Sequence, residues 1–166
     1  MQSKGRKMMR KNVQKGVLTA GTCLFVLFIF SNSLAPADVS GGASSRALEI
    51  VENILAALRW DIPVTEHFLR KAGHFSEYLA LGLLLAATLR AYMPRAGMGI
   101  FLPLFAGLMT AVLDETIQLF VEGRSGQVSD VLLDFSGVLA GLGLFFGVAA
   151  LCRYIRGGRS VSPESA

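Results

Sequence analysis

The sequence predicts an all-α polytopic membrane protein with four transmembrane helices and an amphipathic outer-face helix between the first two. Three observations predict this fold class. Hydrophobic residues make up 52% of the 166-residue chain and charged residues only 17%, against roughly 25% charged residues in soluble domains. Four windows each contain the about twenty mainly apolar residues that cross a bilayer. Basic residues are concentrated at the chain ends and in one loop, which is typical of the cytoplasmic side of a membrane.

The four predicted spans are separated by one long and two short connections. They are Gly16–Ala35, Ala72–Leu89, Met98–Phe120 and Val131–Leu151. We therefore divide the chain into a basic tail at 1–15, a membrane domain at 16–152 and a second tail at 153–166. Cys23 and Cys152 lie in or beside apolar runs, so we interpret them as packing residues and predict neither a disulfide framework nor a zinc site.

The distribution of charge predicts that both termini are cytoplasmic. Eleven of the sixteen Lys and Arg fall on one side of the predicted topology, and of the twelve acidic residues only Glu164 does. These basic residues are Lys4, Arg6, Lys7, Arg10, Lys11, Lys15, Arg90, Arg95, Arg153, Arg156 and Arg159. By the positive-inside rule, the loops after spans one and three are then outside. The basic excess is thus a topology signal, and no nucleic-acid partner is predicted because no basic face with interleaved aromatics is present.

A cleavable signal peptide is the alternative for the first span. Residues 1–37 have a basic start and an apolar centre, and Ala35-Pro36-Ala37 loosely resembles a signal-peptidase site. A proline inside that site is unfavourable, and the apolar run is long for a signal, so a retained span is favoured. Cleavage would leave three spans in the same orientation.

The stretch after span one contains a helical pattern. Apolar residues recur at helical spacing, opposite polar ones, at Leu48, Val51, Leu55 and Leu58. This pattern is typical of an amphipathic helix on the outer membrane face or capping the bundle, and equally of a surface helix in a small outer domain. Pro63 is expected to break the chain, and Thr65 to cap the helix that enters span two.

Polar residues within the spans all fall at one predicted depth. A charged side chain at a helix centre costs at least ~2.5 kcal/mol, so each one requires an explanation. Given the orientation above, the outer third of spans two, three and four, or the residue directly before the span, contains Lys71, His74, Glu77, Asp114, Glu115, Gln118, Asp130 and Asp134. The loop after span three adds Arg124, whose guanidinium suits carboxylate or phosphate. We predict that these groups converge on one outward-facing pocket.

Spacing within span four indicates which side faces the bundle. Asp134, Gly137 and Gly141 share a face, and two glycines four residues apart let a neighbouring helix approach closely.

Five carboxylates near the pocket exceed its three basic groups, Lys71, Arg124 and Arg70. Unpaired buried carboxylates become neutral by taking up a proton unless a cation joins them, so a proton-holding network, a divalent-ion site and a partly cationic ligand all remain open.

Several segments together resemble the VanZ-like family of bacterial membrane proteins. The matching segments are RKAGHFSEY, DETIQLF, GRSGQVSD and DFSGVLAG, with FIFSNSLAP at the end of span one, and they extend over roughly Phe28 to Gly141. The resemblance marks Lys71, His74, Glu115, Gln118, Arg124 and Asp130. At position 134 the family usually has Asn and this chain has Asp. The resemblance implies a link to resistance against the glycopeptide teicoplanin, which acts on the outer side of the membrane.

These observations predict a protein of the bacterial cytoplasmic membrane that binds or modifies an envelope lipid or glycopeptide-related head group. Candidate catalytic residues are His74, Glu115 and Asp130. Candidate ligand-binding residues are Lys71, Glu77, Asp114, Gln118, Arg124 and Asp134. Alternatives are a purely structural polar network in a membrane scaffold and a small proton-coupled transporter. Membrane lipids are the expected partners, while enzymatic activity, a cofactor, a bound metal and homo-oligomerisation stay open.

Overall fold

The computed structural model describes residues 2–93 and 98–158, which form helices and loops without a strand. The helices are α1 (Gln2–Ser33), α2 (Ala37–Ala57), α3 (Glu66–Tyr92), α4 (Phe101–Gln118) and α5 (Val128–Gly158), and a short 3-10 helix (Met98–Ile100) precedes α4. The predicted all-α class is confirmed. Arg95, Arg159 and Glu164, which the orientation prediction also uses, lie outside the described residues.

Three helices in the described ranges are long and apolar enough to cross a membrane. They are Ser3–Ser33, Glu66–Tyr92 and Val128–Gly157, and they contain the predicted spans one, two and four nearly completely. Helix α4 corresponds to predicted span three, but it has only 18 residues, and Asp114 and Glu115 lie within its last turns. The chain is therefore a membrane-type helical protein, with three candidate spans in residues 2–93 and 98–158.

Helix α1 begins at Gln2, so residues 2–15 of the predicted basic tail are helical. Most of these residues are strong helix formers, and no proline interrupts them. The 32 residues of α1 extend over about 48 Å, which exceeds the ~30 Å hydrocarbon core of a bilayer. The charged first turns thus have room outside the hydrocarbon. The helix ends at Ser33, shortly before Pro36, which lacks the amide hydrogen that a continuing helix needs.

Helix α2 packs beside the start of α3. Leu48, Val51 and Leu55 are half-buried, whereas Ile50 and Ile54 on the same helix are exposed. The Ser45 hydroxyl donates a hydrogen bond of 2.7 Å to the Glu66 carboxylate at the beginning of α3. The predicted cap of α3 is also present, because Thr65 Oγ1 accepts from the Phe68 amide at 3.2 Å. The Thr65 cap and the hydrogen bond between Ser45 and Glu66 together hold the first turn of α3 beside α2.

Helices α3 and α5 run side by side in the same direction and make the closest contact in the bundle. Gly137 faces Phe75 and Tyr78, while Gly141, one turn later, faces Leu79 and Gly82. A Cβ atom at Gly137 would lie 2.6 Å from the Phe75 carbonyl oxygen. This confirms that Gly137 and Gly141 form a small-residue face that permits close helix approach. Gly143 and Gly147 instead have open space beside them.

Below the charged residues the bundle interior is mainly apolar, with buried hydroxyls at Thr22 and Thr110. Its buried hydrophobic residues are Ile29, Tyr78, Leu81, Ala86, Ala111, Val138 and Leu142. Large apolar side chains such as Leu24, Phe101, Phe105 and Leu132 are exposed on the outside, as expected for a surface that contacts lipid tails. Cys23 and Cys152 are exposed too, so the prediction that they pack in the interior was wrong.

Candidate functional site

A polar cavity of about 220 Å³ opens at one end of the bundle. Seven of the predicted site residues line it, namely Lys71, His74, Glu115, Gln118, Arg124, Asp130 and Asp134. They come from the first turns of α3 and α5, the last turn of α4 and the loop between α4 and α5. The structure therefore brings residues from three helices and one loop to a single cavity.

The loop between α4 and α5 is shaped by two glycines. Gly123 has a φ of 75°, which is in the left-handed region that favours glycine. A Cβ atom at Gly126 would lie 2.6 Å from the Leu119 side chain and 2.9 Å from the Glu115 carbonyl oxygen. This tight turn against the end of α4 positions Arg124 at the cavity.

Two predicted site residues form an ion pair across the cavity wall. Lys71 Nζ lies 2.8 Å from Asp130 Oδ1, and both side chains are about one-third exposed. Ser129 also donates to Asp130 Oδ1, at 3.3 Å. The Lys71 charge is thus balanced within the protein, and the pair links the first turns of α3 and α5.

The Glu115 carboxylate holds the beginning of α5. Its Oε1 atom accepts a hydrogen bond of 2.6 Å from the Gln127 backbone amide, one residue before the helix starts. The first amides of a helix have no partner within the helix and favour a negative charge. Glu115, which is 5% exposed, thereby fastens the end of the Arg124 loop to α4.

Arg124 is half-buried in the cavity wall and forms no ion pair or side-chain hydrogen bond with the residues that the structure describes. Burial lowers the pKa of its guanidinium from the ordinary value, and the Asp114 carboxylate opposes that shift. An arginine stays charged in proteins. Arg70, at the exposed rim of the same cavity, is likewise without a described ion pair. Two guanidinium groups are thus available to a ligand.

A second group of side chains forms the buried floor. His74, Asp114 and Asp134 each contribute an atom to a cluster whose members lie within 4.8 Å of one another. His74 Nδ1 is 3.9 Å from Asp134 Oδ1, beyond ordinary hydrogen-bond distance. Gln118 Nε2 donates to Asp114 Oδ2 at 3.4 Å, and the other Asp114 oxygen is buried without a partner. The site thus combines a cationic wall with a carboxylate-rich floor.

Glu77 and Asp114 do not line this cavity. Glu77 Oε1 accepts a hydrogen bond of 2.8 Å from Asn32 at the end of α1, and it lines a neighbouring cavity of about 400 Å³. Asp114 is fully buried beneath the first cavity. Arg70, His74 and Arg124 line both cavities. The predicted site is therefore two adjoining compartments with Arg124 between them.

Some residues of the site were not singled out from the sequence. His67, Ser125 and Gln127 also line the first cavity, although His67 and Gln127 are exposed. Gln127 makes its contact through the backbone amide, so the side-chain type of Gln127 does not predict this contact. The position of Gln127 directly before α5 does indicate it, because the amides at a helix start need an acceptor outside the helix.

Comparison with known proteins identifies the family of the chain. Among curated proteins and solved structures, none matches it. A sequence model described as VanZ/LLP1 matches residues 17–152, which include every residue of the two cavities described above. The match agrees with the resemblance in the segments around Lys71, Glu115 and Arg124. The chain belongs to the VanZ/LLP1 family.

Proposed function

We propose that the chain crosses the bacterial cytoplasmic membrane four times and binds an anionic head group, from an envelope lipid or a glycopeptide-related ligand, in its outward-facing cavity. The fourth span would be α4, whose residues 101–113 are almost entirely apolar. Basic residues at the start of α1 and the end of α5 support cytoplasmic termini. In this orientation the cavity opens on the outer side, and α2 lies over the bundle beside the membrane surface.

This topology predicts opposite labelling at the two ends of the bundle. In a background with Cys23 and Cys152 replaced by serine, Glu122→Cys should react with a membrane-impermeant maleimide in intact cells. Ser3→Cys should react only after permeabilisation, because its helix begins on the cytoplasmic side. Equal labelling of both positions in intact cells, or the reverse order, would contradict the proposed orientation.

The single observation that carries the head-group proposal is that Arg124, inside a cavity, has no ion-pair partner among the described residues. A guanidinium presents a planar fork of donors that matches a phosphate or carboxylate in two hydrogen bonds. Lys71 is held by Asp130, so Arg124 and Arg70 are the groups available to an incoming anion. Gln118, which also lines this cavity, would orient the ligand with its amide.

The second compartment supports an amphiphilic ligand rather than a small free anion. Ala35, Val39, Ala47 and Leu69 form an apolar part of its lining next to Arg124. A head group bound by Arg124 would therefore have an apolar surface beside it, as an acyl or lipid-linked ligand requires. In this arrangement His74 is the group left for acid–base chemistry, because Glu115 and Asp130 already accept hydrogen bonds from the protein.

Ligand binding by Arg124 can be measured directly on the purified protein. We expect Arg124→Ala to weaken binding of dihexanoyl phosphatidic acid at least tenfold in native mass spectrometry, because the loss removes a charge-assisted, bidentate contact. Dihexanoylglycerol, which lacks the phosphate, should bind neither protein well. A parallel titration with teicoplanin separates a lipid ligand from a glycopeptide-related one.

Arg46→Ala is the matched control, because Arg46 is exposed on α2 and is not among the residues that line either cavity. Its affinity should equal that of the wild type. If Arg124→Ala binds phosphatidic acid as tightly as the wild type but melts several degrees lower, Arg124 belongs to a structural network and the head-group proposal is wrong. On α3, the stretch from Leu79 to Ala87 contains no polar side chain, which argues against a proton path along this helix.

A further inference from the structure

The floor of the cavity contains a convergence of metal-type donors from three helices. His74 comes from α3, Asp114 from α4 and Asp134 from α5, and one donor atom of each lies within 4.8 Å of the others. Asp114 is 0% exposed and Asp134 is 1% exposed. These residues are separated by 40 and 20 positions in the chain, so their meeting is a result of the fold and not of local sequence.

The carboxylates in this cluster lack the partners that buried charges need. Asp114 Oδ1 and both oxygens of Asp134 are buried without a hydrogen-bond partner among the described residues. An isolated buried carboxylate is strongly unfavourable unless it is paired, protonated or bound to a metal. The hydrogen bond that Gln118 donates to Asp114 Oδ2 satisfies one oxygen and leaves the other free for a ligand bond.

We propose that His74, Asp114 and Asp134 bind a divalent transition-metal ion of the zinc or manganese class. Two carboxylates and a neutral imidazole together carry a charge of −2, which a divalent cation neutralises. An imidazole nitrogen with two carboxylates suits Zn²⁺ and Mn²⁺ better than Mg²⁺ or Ca²⁺, which prefer oxygen ligands only.

The surroundings of the cluster resemble those of metal sites in two respects. Gln118 orients Asp114 as outer hydrogen-bond partners orient metal ligands. His74 and Asp134 also line the polar cavity, so an ion between them would be reached from the cavity and would keep a coordination position open toward it. Glu115 is held by Gln127, so we do not assign it as a ligand.

The charge of the cluster depends on Asp134. An Asn at this position would supply a weaker, neutral ligand and leave a net charge of −1. The metal site shares the cavity with the proposed head-group site but uses none of its basic groups, so metal binding can be measured without an anionic ligand. A metal-bound His74 would not act as the acid–base group.

Metal binding should be measured on the full-length protein in detergent without added lipid, so that the result does not depend on the head-group proposal. We expect one Zn²⁺ per chain by elemental analysis after loading, and competition with a chromophoric chelator should give the affinity. Asp134→Asn and Asp114→Asn should each weaken Zn²⁺ binding at least tenfold. Glu122→Gln, the same type of change at an exposed loop residue, should bind like the wild type. Mn²⁺ should compete for the same site.

Thermal unfolding provides a readout that separates loss of metal from loss of fold. Without metal, Asp134→Asn should melt at or above the wild type, because it no longer buries an unpaired carboxylate. Added Zn²⁺ should raise the melting temperature of the wild type but not that of the variant. The proposal is overturned if the wild type holds no stoichiometric metal, or if Zn²⁺ binds and stabilises both proteins equally.

Discussion

Replacing Gly141 with alanine is expected to destabilise the protein by about 3 kcal/mol, the upper end of ordinary overpacking effects. The added Cβ atom would overlap the Leu79 carbonyl oxygen and lie 2.9 Å from the Leu83 amide nitrogen and 3.0 Å from Gly82 Cα. All three neighbours are backbone atoms of α3, which cannot rotate away as a side chain can. The two helices must therefore move apart along their closest line of contact.

Gly143→Ala is the matched control for this change. Gly143 lies two residues further along the same helix, and an added Cβ atom there would meet nothing within 4 Å. Because alanine is the better helix former, this variant should be as stable as the wild type or more stable, by about 0.5–1 kcal/mol. Thermal unfolding of the detergent-purified proteins measures both effects. Equal melting temperatures for Gly141→Ala and the wild type would show that α3 and α5 are not packed as described.

Moving α3 and α5 apart should also change the geometry of the polar floor. His74 is on α3, and Asp134 is two turns before Gly141 on α5, so displacing the helices changes the distance between the imidazole and the carboxylate. A loss of Zn²⁺ binding in Gly141→Ala but not in Gly143→Ala would connect helix packing to the site. The glycine face thus sets the spacing of α3 and α5, on which the proposed metal site depends.

The meeting of the polar residues at one end of the bundle could be predicted from sequence because it depends on regular geometry. A helix rises 1.5 Å per residue, and the orientation predicted from the basic residues assigned Lys71, Glu115 and Asp134 to one level. The small-residue face at Gly137 could also be predicted, because helical periodicity puts Gly137 on the same side of the helix as Asp134.

Other features of the site could not be predicted, because they depend on how each helix is rotated and where each loop ends. Glu77 is close in sequence to His74, but it points to Asn32 of α1 instead of the first cavity. The contact between Glu115 and the Gln127 amide joins a side chain to a backbone group across a loop, so the side-chain type of Gln127 contains no signal for it. The helical start of α1 also differed from the predicted tail, because charge alone does not end a helix.

Glu115→Ala is expected to destabilise the protein by about 1.5–3 kcal/mol, the range for a hydrogen bond to a charged group. The substitution removes the acceptor of the Gln127 amide, which the carboxylate contacts at 2.6 Å in a buried setting. The loop that contains Arg124 would then lose its attachment to α4. We therefore expect weaker binding of phosphatidic acid as well as a lower melting temperature, although Glu115 itself does not contact the anion.

Glu115→Gln distinguishes this anchoring role from the catalytic role proposed from the sequence. The glutamine amide keeps an oxygen that can accept from Gln127, so stability and ligand binding should be largely retained. If Glu115 moves a proton, Glu115→Gln should instead be as inactive as Glu115→Ala while remaining as stable as the wild type. Glu122→Ala, in the exposed part of the same loop, should change stability by less than about 0.5 kcal/mol. A Glu115→Ala protein that melts and binds phosphatidic acid like this control would show that the carboxylate does not hold the loop.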